Sequence, residues 1–299
     1  MKTRSFRSFA KINLGLEVTG RLPNGYHELK TLFATLSLHD TIDIKEARRG
    51  VSVRSDDERV PEDETNLAYR AAVAMQRLAG RKGGVEIRIH KRIAVGGGLG
   101  GGSSNAATVL RSLDLIWGLN LGAAGLLETA KSLGADVPYF LFGGPALGLG
   151  RGDLIQPLTF ALTSKVLLVP GSHGVSTAAV FRRFAALGGP KPSPSRVDAF
   201  LSSPQPARLG RLRNDLESAA IEENSSLATT AYTIRRVGRA TGALQAAMSG
   251  SGSSFFLVFG DSPARAAAKA ALQKAGIAAV SCSFVSRRSY AGRFEVRAP

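Results

Sequence analysis

Gly96-Gly97-Gly98-Leu99-Gly100-Gly101-Gly102-Ser103-Ser104-Asn105-Ala106-Ala107 begins with a run that cannot be regular helix or strand, because glycine loses the most backbone entropy on folding and offers no packing surface. Its flanks are regular. Before it, Val85, Ile87 and Ile89 alternate with Glu86, Arg88 and His90, the period of a strand with one apolar face. After it, Ala106, Leu110, Leu113 and Trp117 recur at helical spacing, with Ser103 or Ser104 as N-cap and Gly118 as the stop. The stretch predicts strand, glycine loop and helix N-terminus. Such a junction binds anions, since bare backbone N–H groups and the positive end of the helix dipole meet at one point. Phosphate is the expected guest.

Three phosphate loops are weighed and set aside. A Walker-type loop needs Gly-Lys-Ser/Thr at its end, but Gly102 runs straight into Ser103 and Ser104. Gly96, Gly98 and Gly101 satisfy G-x-G-x-x-G, yet near Leu121 and Gly122 no strand ends in an acid for a ribose. A protein-kinase glycine loop lies between two strands and travels with His-Arg-Asp and Asp-Phe-Gly, neither of which occurs. A flexible linker is the remaining alternative, but linkers rarely join a patterned strand to a capped helix.

With Lys91-Arg92-Ile93 ahead of it, the loop resembles the ATP loop of the GHMP kinases, the superfamily of galactokinase, homoserine, mevalonate and phosphomevalonate kinases. The resemblance implies that Lys91 and the run Gly96, Gly97, Gly98, Leu99, Gly100, Gly101, Gly102, Ser103, Ser104 and Asn105 bind ATP. Ala94 stands where these kinases usually carry a proline.

Further upstream, Ile12, Leu14 and Leu16 alternate with Asn13, Gly15 and Glu17, which predicts a half-buried strand, and Pro23-Asn24-Gly25 predicts a turn. By pattern alone Lys11 is a solvent-facing charge, and Tyr26 and His27 are loop residues. The segment Ala10-Lys11-Ile12-Asn13-Leu14-Gly15-Leu16, followed by Gly25-Tyr26-His27-Glu28-Leu29, is similar to the opening of one family within the superfamily, the 4-diphosphocytidyl-2-C-methyl-D-erythritol kinases. That similarity implies an active-site lysine at Lys11, a substrate-contacting asparagine at Asn13, and reception of the substrate's cytosine end by Tyr26 and His27.

Asp136, just past a predicted helix at residues 126–133 and ahead of Val137-Pro138 and an apolar run, is poorly placed for solvation. Gly134-Ala135-Asp136-Val137-Pro138 looks like the family's catalytic-aspartate segment, which makes Asp136 the candidate base. The following segment commonly reads Gly-Arg-Gly-Arg-Gly in the family, and Leu149 replaces one of the arginines. Residues 175–181 resemble a substrate-contacting helix start, with Thr177 and Phe181 as contacts, although Phe181 also reads as plain core. Arg213-Asn214-Asp215-Leu216-Glu217 matches a family segment read as a helix cap beneath the site. Met248-Ser249-Gly250-Ser251-Gly252-Ser253-Ser254 is a second glycine-rich turn, resembling one that lines the interdomain cleft.

Further strands are predicted at residues 41–44, 51–53 and 165–169, and helices at 67–75 and 197–201. Residues 56–64 read as an acidic surface loop, and 188–210 as a Pro/Ser/Gly-rich loop. The resemblance, which runs from Phe9 to Phe256, implies an α+β two-domain GHMP kinase fold: a ribosomal S5 domain 2-like N-terminal domain over residues 1–157 and a ferredoxin-like α/β domain over 158–299. It also implies ATP and Mg²⁺ as cofactors and a cytidine diphosphate-linked methylerythritol as substrate. No metal ligand can be named.

The chain has 299 residues, 44% of them hydrophobic, one cysteine (Cys282) and a net charge of +16. One cysteine excludes an internal disulfide and suits a reducing cytoplasm. The N-terminus lacks an apolar leader, so neither secretion nor a membrane is expected. The basic excess is heavier in residues 151–299 (19 basic against 8 acidic) than in residues 1–150 (20 against 15), and it is scattered as arginine pairs. Without basic runs or aromatic interleaving, no nucleic-acid partner is expected. Monomer and homodimer both remain open.

Overall fold

A computed structural model describes residues 2–81, 83–171 and 174–296. The chain opens with a long antiparallel pair, β1 (Arg4–Arg21) and β2 (His27–Ala47). It continues through β3 (Val51–Ser55), α1 (Leu67–Leu78), β4 (Gly84–His90), α2 (Gly101–Trp117), α3 (Gly122–Leu133) and the single turn α4 (Tyr139–Phe142). Two short strands, β5 (Ala146–Leu149) and β6 (Leu154–Pro157), complete the first sheet, in which β1 lies along one edge of β2 while β4 and β5 share the other.

The second half carries β7 (Lys165–Val169), α5 (Thr177–Ala186), α6 (Arg196–Leu201), α7 (Glu217–Glu223), α8 (Ser226–Ala240), β8 (Gln245–Met248), β9 (Phe255–Phe259), α9 (Ser262–Lys274), β10 (Val280–Ser283) and α10 (Arg287–Gly292). Its four strands run β10-β7-β9-β8, all antiparallel, with the first and fourth side by side and the hairpin pair beyond. This is the ferredoxin-like order expected from the resemblance.

The period of two along these strands divides the core. Val166, Leu168, Phe256 and Val258 meet Ile12, Leu14, Leu32 and Ala34 of the first sheet. Leu167, Leu257 and Phe259 point the other way, onto Ile234 and Val237 of α8 and Ala268 and Leu272 of α9. The first sheet's other face packs on α1, α2 and α3 through Ile42, Ile87 and Ile89 against Ala71, Ala106 and Leu110. After the second sheet the chain returns to the first: Arg7 N donates to Phe294 O and Val296 N to Ser5 O, both at 2.8 Å, and Phe294 joins the first core.

Two expectations change. The strand predicted as half-buried is buried without a break from Ser8 through Leu16, because one face meets the second sheet and the other faces the floor of a cleft. The N-cap of α2 is Gly100, at φ 70°, with no side-chain cap. Ser104 is instead spent inside, donating to Phe9 O at 2.7 Å and accepting from Ser8 Oγ at 2.8 Å. An uncapped helix start keeps its first N–H groups for a ligand.

Candidate active site

Lys11 and Asn13 sit on β1 between two register shifts, at Phe9/Lys11 and Asn13/Gly15, irregularities of the kind that re-aim side chains within a strand. The Lys11 side chain is 4% exposed, yet its ammonium is satisfied, donating to Asn13 Oδ1 at 2.8 Å and lying 3.2 Å from Asp136 Oδ2. Asn13 in turn donates to Thr31 Oγ1 at 2.8 Å, and that hydroxyl to Gly15 O. Asp136, 33% exposed, is the open end of this chain. A buried cation thus holds a carboxylate that still faces solvent.

The two glycine turns close over this pair. Lys11 N donates to Leu99 O at 3.0 Å, Ser249 Oγ to Gly98 O at 3.0 Å and Ser254 N to Gly97 O at 3.2 Å. Asn214 supports the second turn, with its amide donating to Met248 O at 2.9 Å and Gly250 O at 2.7 Å. Gly98, at φ 74°, is the tightest point: a Cβ there would stand 2.2 Å from Ser249 O. Gly98→Ala therefore cannot be accommodated without parting the turns. It should raise KM for ATP at least tenfold and lower the melting temperature, and unchanged values of both would show that the turns are not packed together.

Beside the loop is a cavity of about 340 Å³. One wall is residues 96–103, and the opposite wall includes Arg59, Pro61, Asn66 and Leu67. The expected ATP residues Lys91, Gly96 through Ser103 and Asn105 all line this space and Ser104 does not, although several of the lining side chains are already engaged. Leu99 is buried as an apolar anchor. Lys91 Nζ is 2.6 Å from Asp40 Oδ2, with side-chain exposures of 5% and 0%. Asp40 also accepts from Arg92 N at 2.7 Å and Ile93 N at 2.8 Å, and Asn105, with its amide nitrogen turned toward Asp40, donates to Oδ2 at 3.0 Å.

At the far end of the cleft, Tyr26 and His27 separate. Tyr26 is 58% exposed with the Arg151 guanidinium 5.2 Å from its ring centre, and Arg151 is itself held by Asp153. His27 stacks on Phe181, with centroids 4.9 Å apart and planes at 24°, and meets Phe184 edge-on. Thr177 Oγ1 lies 2.8 Å from Ser251 Oγ of the second glycine turn. Burial lowers the His27 pKa below 6.5, and Arg21 nearby adds to the shift. Because the charged form is the one disfavoured, Phe181→Ala should let water in and raise this pKa toward 6.5, as read by NMR titration; an unmoved value would mean that the stack does not shield His27.

A phosphate cradle at an uncapped helix start, next to a carboxylate paired with a buried ammonium, can hold a nucleoside triphosphate and deprotonate a hydroxyl. Residues 66–144 match the GHMP kinases N terminal domain and residues 204–278 the GHMP kinases C terminal. A 4-diphosphocytidyl-2-C-methyl-D-erythritol kinase of Chlorobium chlorochromatii is 39% identical over 257 residues, covering 85% of this chain and 87% of its own. The chain belongs to the 4-diphosphocytidyl-2-C-methyl-D-erythritol kinase family.

A crystal structure of a 4-(cytidine 5'-diphospho)-2C-methyl-D-erythritol kinase superposes with a TM-score of 0.76 at 36% identity, covering 94% of this chain and 98% of that one. A homoserine kinase from Cytophaga hutchinsonii reaches a TM-score of 0.71 at 19% identity, covering 95% of each chain, and shares the fold. Two parts of this kinase's site escape the sequence reading. Asp40 is one of four acids in β2, with Glu28, Asp43 and Glu46, and nothing in the sequence sets it apart. Residues 59–61 and 65–67, on either side of the acids Glu62, Asp63 and Glu64, help wall the cavity; the cap at Asn66, which accepts from Ala68 N, fixes them to α1.

Proposed function

We propose that this kinase transfers the γ-phosphoryl group of ATP to the 2-hydroxyl of 4-diphosphocytidyl-2-C-methyl-D-erythritol, a step of the non-mevalonate route to isoprenoids, in the cytoplasm. The observation that carries the reading is the Lys11–Asp136 pair, 3.2 Å apart at the edge of the glycine turns. Asp136 takes the proton of the 2-hydroxyl as the hydroxyl oxygen bonds to Pγ and the bond from Pγ to the bridging oxygen of ADP breaks. Lys11 holds Asp136 in place, and its charge faces the developing negative charge. The loop N–H groups hold the phosphates in line, so most of the acceleration comes from positioning and charge neutralisation.

Among the described residues no cluster of three acids or histidines could hold a metal. The donor set nonetheless suits Mg²⁺, which is commonly bound through substrate phosphates and water with few protein ligands. Ser103, on the cavity wall, is the hydroxyl placed to contribute, since Ser104 is engaged inside. When bound, Mg²⁺ would neutralise phosphate charge.

The cytidine end lies toward Tyr26, His27, Thr177 and Phe181, with Asn13 near the hydroxyl-bearing end. Phe181 gives one face to His27, so a pyrimidine stacking there must displace that ring or use another surface. Residues 1–157 then supply the nucleotide loop and both catalytic side chains, and residues 158–299 the second glycine turn and Phe181. No helix among the described residues is long and apolar enough to cross a membrane. ADP release measured with the cytidyl substrate, homoserine and mevalonate in parallel tests the reading: only the first should support turnover, and equal turnover with either of the others would overturn it.

A further inference from the structure

A second cavity, of about 260 Å³, lies where β5 and the segment joining β6 to β7 meet the start of α10. Its apolar lining comes from Leu158, Phe160, Leu162 and Phe284, and its charged lining from Arg287 and Arg288. The walls are pinned. Leu158 N donates to Pro145 O at 3.0 Å, Val285 N to Thr35 O at 2.9 Å, and Phe160 packs edge-on against Phe200 with centroids 5.8 Å apart.

The two arginines lack acid partners. Neither pairs with a carboxylate among the described residues; Arg287 Nη2 is taken by Pro145 O at 2.8 Å, while Arg287 Nε is buried with no hydrogen-bond partner. A buried guanidinium donor without an acceptor is costly unless something fills the role. Apolar walls exclude an inorganic anion as the natural occupant, and the cations exclude a neutral hydrocarbon.

The cavity also touches the catalytic framework. Thr35, on its lining, faces Lys11 across the β1–β2 ladder. The Thr35 hydroxyl lies 2.6 Å from Tyr139 Oη and accepts from Gly144 N at 2.9 Å. Tyr139 opens the helical turn that follows Asp136, so Thr35 joins the cavity wall to both partners of the catalytic pair.

We propose that this cavity is an effector site for a small amphipathic anion, a short apolar chain ending in a phosphate or carboxylate. The chain lies against Leu158, Phe160, Leu162 and Phe284, and the head meets Arg287 and Arg288. The volume is below the roughly 300–1,000 Å³ of drug-sized sites, so the chain is short. It equals about nine waters, a size suited to roughly six carbons and one head group. The inference does not depend on the identity of the acceptor substrate, because the ligand here meets neither glycine turn.

Hexyl phosphate is the probe, titrated calorimetrically into the full chain with ADP saturating, beside hexanol and inorganic phosphate. Hexyl phosphate should bind at one site at least tenfold more tightly than either control, and Arg288→Glu and Leu162→Asp should each weaken it tenfold or more. At saturation it should change kcat at least twofold while KM for ATP stays put. Competition with ADP, equal binding of either control, indifference to both substitutions, or an unmoved kcat would each overturn the proposal. The substrate comparison above is read without the probe, so its failure and this one are separable.

Discussion

Asp136→Asn lowers kcat by roughly 10²- to 10⁴-fold, the range of a positioned base, while nucleotide affinity measured by calorimetry stays within about threefold. The amide has nearly the carboxylate's shape and keeps an oxygen toward Lys11, so the fold is not at stake. What is lost is the proton acceptor, and the loss should fall on kcat and kcat/KM alike, the signature of an interaction made only in the transition state. Lys11→Met acts on the same step, since it removes the ammonium that holds Asp136 from 3.2 Å away. The double variant should therefore fall far short of the product of the two single losses, as happens with groups that act as a unit. Because the Lys11 side chain is only 4% exposed and bonded to Asn13, its replacement also removes a buried hydrogen bond. Melting temperatures must accompany the rates. An active Asp136→Asn enzyme would take the base assignment away, and multiplicative losses would mean that the two residues do not work together.

Sequence and structure agree most where local pattern and burial coincide. The apolar, strand-like 165–169 segment is β7, and the Asn66-capped alanine-rich run is α1. The glycine stretch gave the loop and helix start, but not the cap: Gly100 in the left-handed region replaces a serine because Ser104 is needed to join the helix to β1. The 21 residues of β2 were visible only in part. Leu32, Phe33, Ala34 and Leu36 are all buried, in two different cores, so no polar face marks the period. Lys11 reads as a surface charge for the converse reason, since its neutralising partner Asp136 comes from a distant turn and only its amide acceptor Asn13 lies on the same strand. Pairing across 125 residues has no local signature, and only family resemblance indicated it. The stack of His27 on Phe181 likewise needs both halves of the chain in place.

Asp40→Ala costs stability rather than chemistry, about 3–5 kcal/mol, because removing one partner of a buried pair leaves the other charged and unsolvated. The Asp40 side chain is fully buried and Lys91 nearly so, at 5%. Two backbone donors, Arg92 N and Ile93 N, lose the same acceptor. Against a total stability of about 5–15 kcal/mol, such a loss should be plain as a lower urea midpoint with an unchanged slope. Asp40→Asn keeps one oxygen acceptor and should lose less. Asp40→Leu combined with Lys91→Met removes both charges, and should recover part but not all of the Asp40→Ala loss, since the two N–H groups stay unpaired. The same variants decide what Lys91 does for ATP. These donors sit at the base of the glycine loop, so Asp40→Asn, with Lys91 present, should already raise KM for ATP by loosening the loop. If Lys91 serves only as a brace, Lys91→Met adds nothing to that rise in the Asp40→Asn background. A further tenfold rise would instead show that the ammonium swings out of its pocket to meet a phosphate. A stability loss below about 1 kcal/mol for Asp40→Ala, the scale of one exposed ion pair, would mean that water reaches the pair and that the loop base is held by something else.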